Sequence, residues 1–287
     1  MQTQNLPFKM KYPFCFGLIL GISYFAFELI MSFLLCYTIF FNTKFNVTQE
    51  LIFSIIDILC CFSYAYLIHY VHIYKFKNVK QMFKNTYIIS IIYLILIAIT
   101  TVDFIAKNAS FKKGPDIICG IIIIFGVAFT EETLYRGICC RFLALRYGHN
   151  KKGMFLTVFL SGTVFGTMHI LNLINGVPLN AIIQQSIMAF AFGCFLSGMY
   201  LKSGNLWETI LIHFLVDALG LFEVYFIYTK QTVVDAISEM GNVNYFYFLI
   251  EFLVILLLTY VFYLRKNKIE NLVSNVNLMK KSEFYYM

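Results

Sequence analysis

The chain has 287 residues, of which 60% are hydrophobic and only 13% are charged, about half the charged share of a typical soluble domain. That balance excludes an ordinary water-soluble globule and predicts an all-α, polytopic membrane helix bundle. The net charge of +7 comes from lysines and arginines clustered between apolar runs. There they set topology, and they do not point to a nucleic-acid partner.

A membrane span needs about 20 apolar residues. Segments of this kind cover roughly 13–41, 51–73, 86–106, 116–142, 154–174, 180–201, 206–228 and 245–264, which predicts about eight spans. Lys9 and Lys11 precede the first, which is too long for a signal-peptide core and lacks a small-residue cleavage site, so it stays as a span. His69 and His72 sit at the rim of the second, and Lys75, Lys77, Lys80 and Lys84 follow it. Arg136, Arg141, Arg146, Lys151 and Lys152 follow the apolar part of the fourth. Residues 265–287 open on Arg265, Lys266 and Lys268 and read as a basic cytoplasmic tail behind a single transmembrane domain, 1–264. The positive charges put both termini on the cytoplasmic side of a multi-pass protein in a cell membrane, although Lys107, Lys112 and Lys113 fall on the other side. No internal repeat is present, which argues against a transporter built from inverted repeats. The eight cysteines, at 15, 36, 60, 61, 119, 139, 140 and 194, form no CxxC and read as small core residues.

Ionisable side chains inside a span cost about 2.5–3.5 kcal/mol each on insertion scales. Glu131, Glu132, Arg136 and Asp217 must therefore pair, face a wet cavity, or both. Glu132 and Arg136 are four residues apart, the spacing of a helical ion pair. Glu131 is turned about 100° from Glu132 and faces elsewhere. His169 stands in the apolar stretch "SGTVFGTMHIL", one turn after Phe165. His213 and Asp217, in "LWETILIHFLVDALG", share one helix face. Carboxylates with two buried imidazoles are a set for activating water, with a base, donors to an oxyanion and the option of a divalent metal such as zinc. At 1.5 Å per residue Glu131 and His213 come to similar depths, whereas His169 counted from Met154 comes out about 10 Å deeper. The fifth segment is therefore expected to begin outside the bilayer and to break after His169, in "LNLINGVPLN", where Gly176 and Pro178 suit an interruption.

These elements resemble the CAAX protease and bacteriocin-processing (Abi) family of intramembrane endopeptidases, whose pattern is EExxxR, then FxxxH, then HxxxN. The matching residues here are Glu131-Glu132 with Arg136, Phe165 with His169, and His213 with Asp217. The lead-in from Ser203 to His213, with Trp207, is also similar, and the resemblance covers about 116–220. It implies that Glu131 is the general base, that Glu132 and Arg136 hold the geometry, and that His169 and His213 polarise the carbonyl, stabilise the oxyanion or bind metal. Asp217 stands where most members have Asn, so it orients His213 or binds a cation rather than donating an amide. If a metal is present, Glu131, His169, His213 and Asp217 are its candidate ligands. There is no HExxH, and the balance leans to a metal-free, glutamate-activated water. The implied substrate is a peptide or protein at the membrane, either a lipidated CAAX tail or a bacteriocin, leader or signalling peptide. Membrane lipids are the other expected partners. Two other functions use similar residues: a non-catalytic bacteriocin-immunity or interaction protein, and a proton-coupled transporter.

Overall fold

The computed structural model describes residues 7–35, 51–52, 54–56, 58–59 and 79–283. Most of the second expected span, with His69 and His72, lies outside the described residues.

The apolar runs become helices. In chain order they are α1 (Pro13–Leu35), α2 (Val79–Ala106) and α3 (Gly114–Glu132), which continues through a π-helical stretch (Thr133–Cys140) into α4 (Arg141–Tyr147). Next come α5 (Lys151–Met168), prolonged by a 3-10 turn (His169–Leu173), then α6 (Leu179–Ser203) and α7 (Leu206–Gly220). The last are α8 (Val233–Met240), α9 (Tyr245–Thr259, with a π turn Tyr260–Leu264) and α10 (Lys266–Glu283). Among the described residues, five helices are long and apolar enough to cross a membrane: Val79–Ala106, Gly114–Tyr147, Lys151–Leu173, Leu179–Ser203 and Tyr245–Leu264. The architecture is an all-α polytopic bundle. On α2, Ile91, Ile92, Leu94, Ile95 and Ile99 are all exposed, as a helix surrounded by lipid requires.

Several bounds differ from the sequence expectation. α2 begins at Val79, so Lys80 and Lys84 sit in its first turns rather than in a loop. The seventh segment is interrupted after Gly220 and resumes as a short turn, Phe222–Phe226. α7 alone, at 15 residues, is about 22 Å long and too short to span hydrocarbon by itself. The break after His169 is present. The fifth helix tightens to a 3-10 turn there, Gly176 takes φ +87°, and α6 starts behind Pro178. Residues 266–283 form a helix that buries Ile269, Leu272 and Val276. This i, i+3, i+7 stripe is the packing face of an amphipathic helix.

The described residues form two compact units. One comprises 24–132 and 207–236. Its core is Ile123, Ile124, Ala218 and Tyr225, with Phe214, Leu221 and Val224 packed around them. Gly120 makes this packing possible, since a Cβ there would lie 2.9 Å from that of Tyr225. The other unit comprises 1–23, 133–206 and 237–287. Its centre is the α5–α6 pair, where Gly162 and Gly166 let the backbones of Phe190 and Ser186 approach closely. Ser197 there donates to Ser161 at 2.8 Å, and small residues with a hydroxyl bond across helices are a common membrane packing device. At the end of α6, Gly204 takes φ +61°, a left-handed helix stop. Asn275 of α10 donates its amide to the carbonyls of Leu201 at 3.3 Å and Lys202 at 2.7 Å.

Candidate active site

In the first unit, α3 and α7 bring four of the expected site residues onto one imidazole. The Phe129 and Trp207 rings, 6.1 Å apart, pack the last turn of α3 against the start of α7. One and a half turns further along α7, His213 Nδ1 lies 2.8 Å from Glu132 Oε1. A carboxylate oxygen accepts, so Nδ1 carries the proton and donates. The opposite nitrogen, Nε2, lies 3.7 Å from Glu131 Oε2 and 3.5 Å from Asp217 Oδ2. Those distances are within ion-pair reach but beyond a direct hydrogen bond. The two adjacent glutamates thus address opposite sides of one ring, which is what their rotation around α3 makes possible.

Burial separates the carboxylates. The side chain of Glu132 is fully buried and that of His213 is 6% exposed, whereas those of Glu131 and Asp217 are 30% and 21% exposed. The inner carboxylate fixes the ring, and the outer two flank the nitrogen that faces the accessible side. Among the described residues, no three His, Cys, Asp or Glu side chains are grouped as a metal-holding set. Both ring nitrogens of His213 are directed at carboxylates in this arrangement.

The sequence reading missed Glu208 on the same helix. It is 2% exposed, and Asn85 of α2 donates to its Oε1 at 3.0 Å. This bond ties α2 to the helix that carries His213 and Asp217. The available signal was a carboxylate in the first turn of an apolar helix, five residues before His213.

In the second unit, Phe165 is the platform for the other two site residues. The Arg136 guanidinium carbon lies 4.1 Å from the Phe165 ring centroid, and Arg136 is fully buried. Its planar cation can stack on an aromatic face where an ammonium could not. The His169 ring meets Phe165 edge-on at 4.9 Å, and Tyr135 does the same at 5.2 Å. His169 Nδ1 lies 2.9 Å from the Phe165 carbonyl oxygen. A carbonyl only accepts, so this nitrogen donates, and the lone pair of the neutral ring is on Nε2. Arg136 lies in the π-helical stretch, every residue of which is buried. Such insertions are often found at functional sites. Glu132 and Arg136 therefore each have a ring partner, His213 and Phe165, that their four-residue spacing did not foresee. Cys139 and Cys140 are fully buried, in keeping with core packing.

Residues 113–219 match a family model, Rce1-like, described as type II CAAX prenyl endopeptidase Rce1-like. The matched segment, just over a third of the chain, is similar to the CAAX protease family. It includes Glu131, Glu132, Arg136, His169, His213 and Asp217. The family is one of intramembrane endopeptidases, hydrolases that act on a peptide or protein substrate in a membrane, and the long apolar helices make this an integral membrane protein. No curated protein and no solved structure matches the chain.

Proposed function

We propose that the chain is an intramembrane endopeptidase that hydrolyses a peptide bond by a glutamate-activated water, with Glu131 as the general base. The observation that supports this is that Glu131 and Asp217 both lie within 3.7 Å of His213 Nε2 while Glu132 holds Nδ1. Glu131 takes a proton from water, and the water oxygen bonds to the carbonyl carbon. In its imidazolium form, His213 donates from Nε2 to the oxyanion that develops. The C–N bond then breaks, and Glu131 returns its proton to the leaving nitrogen. Glu132 orients the imidazole, as carboxylates commonly do for catalytic and metal-bound histidines. His169 is assigned to carbonyl polarisation on the sequence motif alone. No step is routed through a metal. The substrate is a membrane-associated peptide, and both termini of the chain are assigned to the cytoplasmic side by the distribution of Lys and Arg.

The test is cleavage by purified protein in liposomes, offered a farnesylated peptide ending in a CAAX sequence and an unlipidated leader-type peptide. Wild type should cut one class, and Glu131→Gln should lose about 10²–10⁴-fold in kcat, the usual worth of a general base. His169→Ala should also lose activity. A chelator should leave the wild-type rate unchanged, and a fall restored by zinc would replace the metal-free mechanism. Absence of cleavage together with proton-coupled uptake would overturn the endopeptidase assignment.

A further inference from the structure

The 3-10 turn that begins at His169 carries a second polar feature, one that the family motifs do not include. Asn172 Nδ2 donates to Gln185 Oε1 at 3.0 Å, joining the turn to α6. Both residues are half-buried. In a 3-10 helix, residues i and i+3 eclipse each other. Asn172 therefore stands on the same side of the turn as His169, about 6 Å further along its axis at a rise of about 2 Å per residue.

The bond uses one donor hydrogen of Asn172 and one lone pair of Gln185. Oδ1 of Asn172 and Nε2 of Gln185 remain as an acceptor and a donor side by side. That pair is the complement of one residue of an extended backbone, whose own N–H and C=O point to the same side. An extended chain advances about 3.3 Å per residue, so about 6 Å corresponds to about two residues of substrate. Simple anchoring of the turn explains less. Gly176 and Pro178 already set the path of the chain behind His169, and the Asn172 backbone carbonyl already accepts from Asn175 N at 3.0 Å.

We infer that Asn172 and Gln185 form an amide clamp that binds the backbone of an extended peptide substrate about two residues from the scissile bond. The inference rests on the endopeptidase reading, in which His169 addresses the scissile carbonyl. A clamp of this kind reads backbone and not side chain. The enzyme should then tolerate side-chain variation at the clamped position and reject loss of its N–H.

The experiment uses the full chain in liposomes and a cleavable peptide in which one backbone amide at a time is replaced by an ester, which removes the N–H. In wild type, one ester about two residues from the cut should lower kcat/KM about 10-fold, mostly through KM. Asn172→Ala should lower kcat/KM on the all-amide peptide by a similar factor and should show no further loss with that ester. Asn172→Asp, which keeps the acceptor, should retain the ester penalty. Gln185→Leu controls for folding and should raise KM while leaving the ester penalty in place. Equal ester penalties in wild type and Asn172→Ala would overturn the clamp, while cleavage by wild type would leave the endopeptidase reading standing. Binding of the same peptides to the Glu131→Gln protein, followed by fluorescence, separates the two claims. Weaker binding with Asn172→Ala, in a protein whose wild type cuts nothing, would keep the clamp and remove the enzyme. Unchanged binding in that case would remove both.

Discussion

His213 and His169 are both imidazoles on apolar helices, yet their surroundings are opposites. His213 has three carboxylates within 3.7 Å of its ring nitrogens. His169 rests against an aromatic ring that also meets a guanidinium and a tyrosine, and its Nδ1 is held by a backbone carbonyl. The contacts described around His213 are carboxylates, and those described around His169 are an aromatic ring and a backbone carbonyl. A histidine held by charge should respond to changes in its neighbours' charge. One held by packing should respond to changes in shape.

The largest expected effect is that of Glu131→Gln on kcat, described above. Next is Glu132→Gln, in which the amide oxygen still accepts from Nδ1 but the negative charge is gone. Loss of such a supporting partner typically costs about 10–100-fold in activity. Wild-type activity in this variant would break the charge side of the comparison. At Phe165 shape should decide. Arg136→Lys keeps the charge but loses the planar stack, part of a contact worth about 0.5–2 kcal/mol in all. It should lower Tm and reduce kcat/KM by less than Glu132→Gln does, and an unchanged Tm would show that the stack contributes little. Asp217→Asn installs the amide more usual in the resemblance and should cost less than the about 10–100-fold expected for loss of a supporting partner, as read by kcat/KM.

Away from both histidines, Leu272→Ala on α10 removes a side chain that is 1% exposed. It should cost about 2–5 kcal/mol of stability with kcat/KM unchanged while the protein is folded, as read by thermal unfolding beside an activity assay. The smallest effect belongs to Lys151 and Glu270, 2.7 Å apart and about half exposed on each side. The hydrogen bond and charge of Lys151 hold the Glu270 carboxyl below its ordinary range. A depressed carboxyl contributes stability above its unfolded pKa of about 4.3 and loses it as pH falls through the lower folded value. Glu270→Gln should therefore differ slightly from wild type in Tm at pH 7, and the two should converge below about pH 4. High salt should remove the difference at pH 7.

Among the described residues, the long helices and their order were legible because spans long enough for a bilayer leave unmistakable apolar runs. The break behind His169 was legible from Gly176 and Pro178. Pairing of His213 with Asp217 followed from helix periodicity. The convergence of Glu132 on His213 was not legible, since the two are 81 residues apart and no local rule links them. Nor was the π-helical stretch at Thr133–Cys140, because nothing in "TLYRGICC" distinguishes five-residue from four-residue bonding. Residues 266–283 read as a tail because their composition is polar. Three apolar residues on one face were enough to dock them.

The bonds from Asn275 to Leu201 and Lys202 also have a consequence in time. The carbonyls at the end of α6 must wait for a partner that is 74 residues later in the chain. At a synthesis rate of about 5–20 residues per second, the wait is about 4–15 s. During it, the end of α6 must rely on water or headgroups for its hydrogen bonds. The helix whose first turns carry Gln185 is therefore completed only by a segment made 74 residues after Leu201. A ribosome that stalls before Asn275 would release a bundle already long enough to insert, but with that helix end still open.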